Sequence, residues 1–119
     1  MNWPIVICSF GDVVVVPFPF VDLPVEKRRP AMVLSNAGFN DANGQSVLAM
    51  ITSARHTAWP TDVAIEDSSA AGLDHHSTIR WKVFTVPNGL ILRRIGSLGT
   101  SDRRRAASAA RRHFAPDSR

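Results

Sequence analysis

Three cations in a row, Lys27, Arg28 and Arg29, stand before Pro30 and the apolar run Ala31-Met32-Val33-Leu34-Ser35. Proline has no N–H to give a ladder, so it belongs at the first residue of a strand or on an edge. It also holds the residue before it extended. The Arg29 guanidinium therefore projects from a stiff mount. A planar fork of donors suits a phosphate better than an ammonium does. The same spacing also describes a solvated loop arginine ahead of a strand, and both readings stand at this point.

Further phosphate-friendly groups fall at other strand ends. Thr52 and Ser53 close the run Ser46-Val47-Leu48-Ala49-Met50-Ile51, and Arg80 and Lys82 add cations in a later strand. RNA carries its own nucleophile, the 2′-OH. Cleaving it requires orientation of that hydroxyl, donors aimed at the charge that develops on phosphorus, and a proton for the departing oxygen. Positioned donors usually supply the largest share. An arginine and a threonine hydroxyl suffice for this without a metal. Taken singly, Thr52 is the more ordinary strand-end hydroxyl that bonds its own backbone.

Conventional catalytic sets are missing. Cys8 is the single cysteine and has no evident base, so neither a disulfide framework nor a thiolate metal cluster is expected. His75 and His76 are adjacent, point to opposite faces of an extended chain, and read as solvated loop histidines. The glycines at 44, 72, 89, 96 and 99 read as turn residues, not a phosphate loop. No metal and no cofactor is expected.

The elements that must hold these residues are mostly strands. Val13 to Phe20, entered by Gly11-Asp12, is β-branched and aromatic. Pro17 and Pro19 make its second half an edge or an exit from the sheet. Residues 21–27 read as a loop, 30–35 as a short buried strand, and 37–44 as a loop with room for a turn of helix. Strands follow at 46–53, 61–66 and 77–86. In the last of these Thr78, Arg80, Lys82 and Phe84 share one face. After the turn Pro87-Asn88-Gly89, residues 90–98 continue as a strand. Thr100-Ser101-Asp102 supplies capping groups for a helix at about 101–114, with Ala106, Ala110 and Phe114 as a narrow apolar stripe beside Ala107. Six short strands and a terminal helix describe a small, strongly bent barrel of the mostly-β or α+β class.

Composition bounds the rest. A chain of 119 residues, 45% hydrophobic and 20% charged, is expected to form a single globular domain over 1–119. That comprises a barrel at about 10–98, the helix, and a tail at 115–119. The net charge of +4 is concentrated: residues 103–119 hold six arginines and one aspartate, leaving the remainder near −1. The basic balance is a property of the C-terminal segment and does not mark the whole surface as a nucleic-acid platform. No signal peptide or membrane span is read, so a reduced cytoplasm is the expected location.

The order of blocks adds to this reading. Gly11-Asp12-Val13-Val14-Val15-Val16-Pro17-Phe18-Pro19-Phe20, Lys27-Arg28-Arg29-Pro30-Ala31-Met32-Val33-Leu34-Ser35 and Met50-Ile51-Thr52-Ser53 follow one another. Ala71-Gly72-Leu73, residues 77–85 and residues 90–98 then complete the series. Together they resemble the PemK/MazF family of type II toxin–antitoxin ribonucleases over roughly residues 10 to 114. The resemblance implies an SH3-like barrel of the CcdB/PemK type assembled as a homodimer. It implies metal-independent cutting of single-stranded RNA, leaving a cyclic phosphate and a 5′-hydroxyl. The family's catalytic arginine falls on Arg29 and its catalytic threonine on Thr52. Lys27, Arg28, Ser53, Arg80 and Lys82 become RNA-binding candidates, and a cognate antitoxin with an acidic, disordered segment becomes the expected partner. The segment Asp22-Leu23-Pro24-Val25-Glu26 departs from the Gly-Ser-Glu-Gln of many members, which leaves the cleaved sequence open. Two other functions fit such a barrel: a gyrase-inhibiting toxin, and a catalytically silent RNA- or protein-binding module.

Overall fold

The computed structural model describes residues 6–18, 27–53 and 57–118. Six strands form one antiparallel sheet: β1 (Asp12–Phe18), β2 (Lys27–Val33), β3 (Gln45–Ser53), β4 (Val63–Ile65), β5 (Ser77–Pro87) and β6 (Arg93–Ser97). Their order across the sheet is β4-β5-β3-β2-β1-β6. Two helices accompany them, α1 (Ala37–Asn43) and α2 (Thr100–Phe114).

Strand alternation divides the apolar side chains between the two faces. Val13, Met32, Ala49 and Ile51 join Ile79, Trp81, Leu98 and the α2 residues Ala106 and Ala109 in one cluster. Val14, Val16, Ala31, Val33 and Leu48 join Cys8 and Val86 in the other. Each fully buried valine of β1 contributes about 1.5–3 kcal/mol of apolar burial. Because residues 13–16 of β1, 31–33 of β2 and 47–51 of β3 are covered on both faces, these stretches read as unbroken apolar runs and show no alternation.

The sheet curls until its edges are bridged. The connection between β4 and β5 crosses to β6, where the Ser97 N–H donates to the Ala70 carbonyl at 3.0 Å. Glycine is required at this seam. A Cβ on Gly96 would stand 2.5 Å from the Ala70 oxygen, and one on Gly72 2.1 Å from the Ile95 oxygen. The mostly-β, strongly bent architecture with a C-terminal helix is thus the one observed.

Several boundaries differ from the sequence reading, each for a physical reason. Residues 37–44 hold a full helix, α1, because the Asn36 side chain accepts the Phe39 N–H at 2.9 Å and Gly44 closes it with φ +64°. Asn40 on that helix is fully buried, donating to the Cys8 carbonyl at 2.9 Å and accepting through its own carbonyl from Asn88 at 2.8 Å. Residues 90–98 do not form one strand. Asn88–Leu90 make a turn of 3-10 helix, and β6 begins at Arg93. The strand at 61–66 shortens to Val63–Ile65. Residues 19 and 20 of the first predicted strand, and the loop 22–26, lie outside the described residues.

The terminal helix is also held differently. Its buried residues are Asp102, Ala106 and Ala109, while Phe114 lies half exposed with its ring edge-on to Trp81 at 5.7 Å. Gly99 takes the N-cap position with no side-chain cap. Asp102 instead reaches across to β4's exit, accepting the Asp67 N–H at 2.8 Å and the Glu66 N–H at 3.1 Å, and pairs with Arg105. No helix among the described residues is long and apolar enough to cross a membrane.

Candidate active site

The β2 strand begins at Lys27, earlier than the sequence suggests. Lys27, Arg28 and Arg29 pair with Phe18, Pro17 and Val16 of β1. Arg29 is therefore a strand residue, not a loop tip. Pro30 is tolerated inside the strand because of where its nitrogen faces. The Leu34 N–H donates to the Val47 carbonyl of β3, whereas the Val33 carbonyl receives the Gly11 N–H on the β1 side. Backbone groups alternate along a strand, so position 30, like 34, faces β3. There the next hydrogen-bonded pair would be Pro30 with Ile51, and proline has no proton to give. The β2–β3 ladder stops at Ala31 and Met50. On either side, β1–β2 pairing continues to Lys27 and β3–β5 pairing to Ser53.

A split thus opens between residues 27–30 and 51–53. A cleft of about 610 Å³ lies there, walled by Lys27, Arg28, Arg29, Thr52 and Ser53, with Asp74, His75 and Arg93 across from them. Four cations against one carboxylate make it attractive to phosphate. Extending the β2–β3 register beyond its last pair sets Arg29 opposite Thr52. Alternation gives these two one face of the sheet, and Arg28 and Ser53 the other.

Arg29 itself is half-buried. Its guanidinium carbon lies 5.8 Å from the centre of the Phe18 ring, and that ring meets Phe84 at 6.3 Å. Its Nε is buried and makes no hydrogen bond among the described residues. A buried donor left unpaired is costly, and in folded proteins such groups mark strain, catalysis or an absent ligand.

The two remaining candidates sit elsewhere. Arg80 and Lys82 lie on β5 and do not line the cleft. Arg80 is already engaged: its Nε and terminal nitrogen donate to the Asp62 carboxylate at 3.2 and 2.9 Å, and it also donates to the Thr57 carbonyl. Burial pushes the Asp62 carboxyl upward, but the bonds from Arg80 and from the Trp59 N–H outweigh it and hold the group below the usual range. The same carboxylate raises the Arg80 value. This ion pair joins residues 18 apart in sequence and left no local signal. Lys82 is exposed. Cys8 is buried, and burial together with the nearby Asp12 pushes its thiol up despite Arg94, which excludes a ready thiolate. Arg93 and Asp74 escaped the sequence reading because only the curl of the sheet carries β6 and the β4–β5 connection to the cleft.

Residues 9–114 match the family model described as PemK-like, MazF-like toxin of type II toxin–antitoxin systems. A comparison with curated proteins found no match. Among solved structures, MazE–MazF from Deinococcus radiodurans superposes with a TM-score of 0.71 at 16% identity, covering 92% of this chain and 97% of that one. An endoribonuclease in complex with its cognate antitoxin, from a mycobacterial species, gives 0.70 at 15% identity, with 91% and 93% covered. The Mycobacterium tuberculosis toxin MazF-mt6 gives 0.67 at 22% identity, with 89% and 98% covered. At these identities the structural likeness establishes the fold.

Proposed function

The chain belongs to the PemK-like, MazF-like toxins of type II toxin–antitoxin systems, and on that premise we propose that it is a sequence-specific, metal-independent endoribonuclease acting on single-stranded RNA in the cytoplasm. The observation that carries this reading is the unpaired, buried Nε of Arg29 beside a cationic cleft, with Thr52 opposite in register. The 2′-oxygen attacks the adjacent phosphorus, its proton passes to water, and the bond to the 5′-oxygen breaks. The products are a cyclic phosphate and a 5′-hydroxyl whose proton comes from solvent. Arg29 donates to the non-bridging oxygens as charge builds on them, at the geometry its strand and Phe18 fix. Thr52 hydrogen-bonds a phosphate oxygen and holds the scissile group in line. Lys27, Arg28 and Ser53 bind flanking backbone, and Lys82 extends the cationic face. The protein works as a homodimer. A cognate antitoxin inhibits it by laying an acidic segment over the cleft, as suits four cations around it.

Cleavage of total RNA in the presence of EDTA, with mapping of 5′-hydroxyl ends, tests this. Wild-type protein is expected to cut at a short recurring sequence. Arg29→Lys and Arg29→Ala are both expected to lose about a hundredfold or more in rate, since lysine keeps charge but loses the fork. Thr52→Ala should fall in the same direction while remaining folded. Full activity of Arg29→Lys removes the proposed role of that residue. Loss of wild-type cleavage in EDTA removes the metal-free mechanism.

A further inference from the structure

Trp59 is 42% exposed, yet it sits on a hydrogen-bonded turn and against a guanidinium. The Arg80 guanidinium lies 5.4 Å from the centre of its ring. The Trp59 N–H donates to the Asp62 carboxylate at 2.9 Å, and the Asp62 N–H returns a bond to the Trp59 carbonyl at 3.1 Å. Below them, the Trp81 indole N–H donates to the Thr61 carbonyl at 2.8 Å. These bonds fix the backbone turn that carries Trp59, and the indole itself rests with one side on the Arg80 guanidinium and the remainder exposed.

Its position is set by register. Thr78 of β5 pairs with Thr52, and Arg80 pairs with Met50. Residues 50, 52, 78 and 80 therefore share the sheet face on which alternation also places Arg29. Arg80 is the post that brings Trp59 to that face. Neighbouring charge then decides what the ring can receive. The Asp62 carboxylate next to it repels a phosphate and consumes the Arg80 charge, so this spot is unsuited to the RNA backbone. A neutral base meets no such penalty and gains stacking on the indole.

Building on the endoribonuclease reading, we infer that Trp59 is a stacking platform for an RNA base beside the scissile phosphate, with Arg80 and Asp62 as its positioning residues. Trp59 then contributes to binding and sequence choice and takes no part in the chemistry.

The test uses a single-stranded oligonucleotide carrying the cleavage sequence mapped for the wild type. Trp59→Ala is expected to raise KM about tenfold, with the saturated rate within about threefold of wild type and the 5′-hydroxyl map changed at one flanking position. Trp59→Phe should keep most of the affinity. An abasic site at that flanking nucleotide should weaken wild type strongly and Trp59→Ala hardly at all. An unchanged KM and map for folded Trp59→Ala overturns the proposal, as does a variant that loses antitoxin affinity while binding RNA normally. Failure of wild type to cleave the RNA overturns the endoribonuclease reading and this inference together, whereas the variant results bear on Trp59 alone.

Discussion

An unpaired buried guanidinium nitrogen costs roughly 1–3 kcal/mol, and more where the group is charged, so Arg29 is held in place at the expense of stability. What holds it is the preceding and following chain: pairing with Val16 on one side, Pro30 on the other, and the Phe18 ring against its carbon. Pro30 does a second thing, because its missing proton faces β3 and ends the ladder there. Pro30→Ala supplies that proton. The ladder is then expected to extend to Ile51, narrowing the split, and RNA cleavage should fall several-fold while thermal stability stays within about 1 kcal/mol. Hydrogen exchange checks the cause: the amide introduced at position 30 should be protected, and an unprotected amide with lowered activity would refute this account. The types Arg29, Pro30 and Thr52 were legible in the sequence because each is defined by its immediate neighbours. Asp62, Trp59 and Arg80 were not legible as a unit, since only the pairing of β5 with β3 and β4 brings them together.

Among the elements, α2 shows how one residue can satisfy two plausible local rules and follow neither alone. Asp102 stands in the first turn, where a carboxylate favours the helix dipole, and Thr100-Ser101-Asp102 reads as a capping sequence. Yet its oxygens go to the Glu66 and Asp67 amides and to Arg105, tying the helix to the exit of β4. Sequence cannot choose between a cap and a tie when the tie lies some 35 residues away. Burial pushes the Asp102 carboxyl upward, but these bonds outweigh it and hold it below its usual value. Its stabilisation is therefore complete above about pH 4, the unfolded carboxyl's range, and is lost as pH falls through the lower folded value. Asp102→Asn should destabilise the protein at pH 7 by roughly 2–3 kcal/mol. In urea unfolding series the gap between variant and wild type should shrink steadily below pH 4. A gap that persisted undiminished to pH 2 would show that packing, not the charge, matters at this position.

For the whole molecule, the question is what the concentrated positive charge does. The arginines of α2 are not equivalent. Arg105 bonds Asp102 and Glu66, and Arg103 lies over the Phe10 ring with its centre 5.4 Å away. Arg104, Arg111 and Arg112 are exposed. The sequence showed the excess charge but could not sort structural arginines from solvated ones, because that depends on which helix face meets the sheet. Arg103 is exposed as well, and none of these four arginines lines the cleft at the β2–β3 split. Exposed cations of this kind raise the local concentration of polyanions, and each phosphate neutralised releases counterions. Replacing Arg104, Arg111 and Arg112 together with Gln should leave the fold, the cleavage sequence and the rate at saturating RNA unchanged. Affinity for RNA should weaken at low salt, and the slope of log affinity against log salt should flatten by up to about 2, roughly 0.7 for each single-strand phosphate that is no longer neutralised. Converging affinities for variant and wild type at high salt would complete the pattern. A triple variant that bound normally but lost its saturated rate would move the catalytic charge from the split between β2 and β3 to this helix.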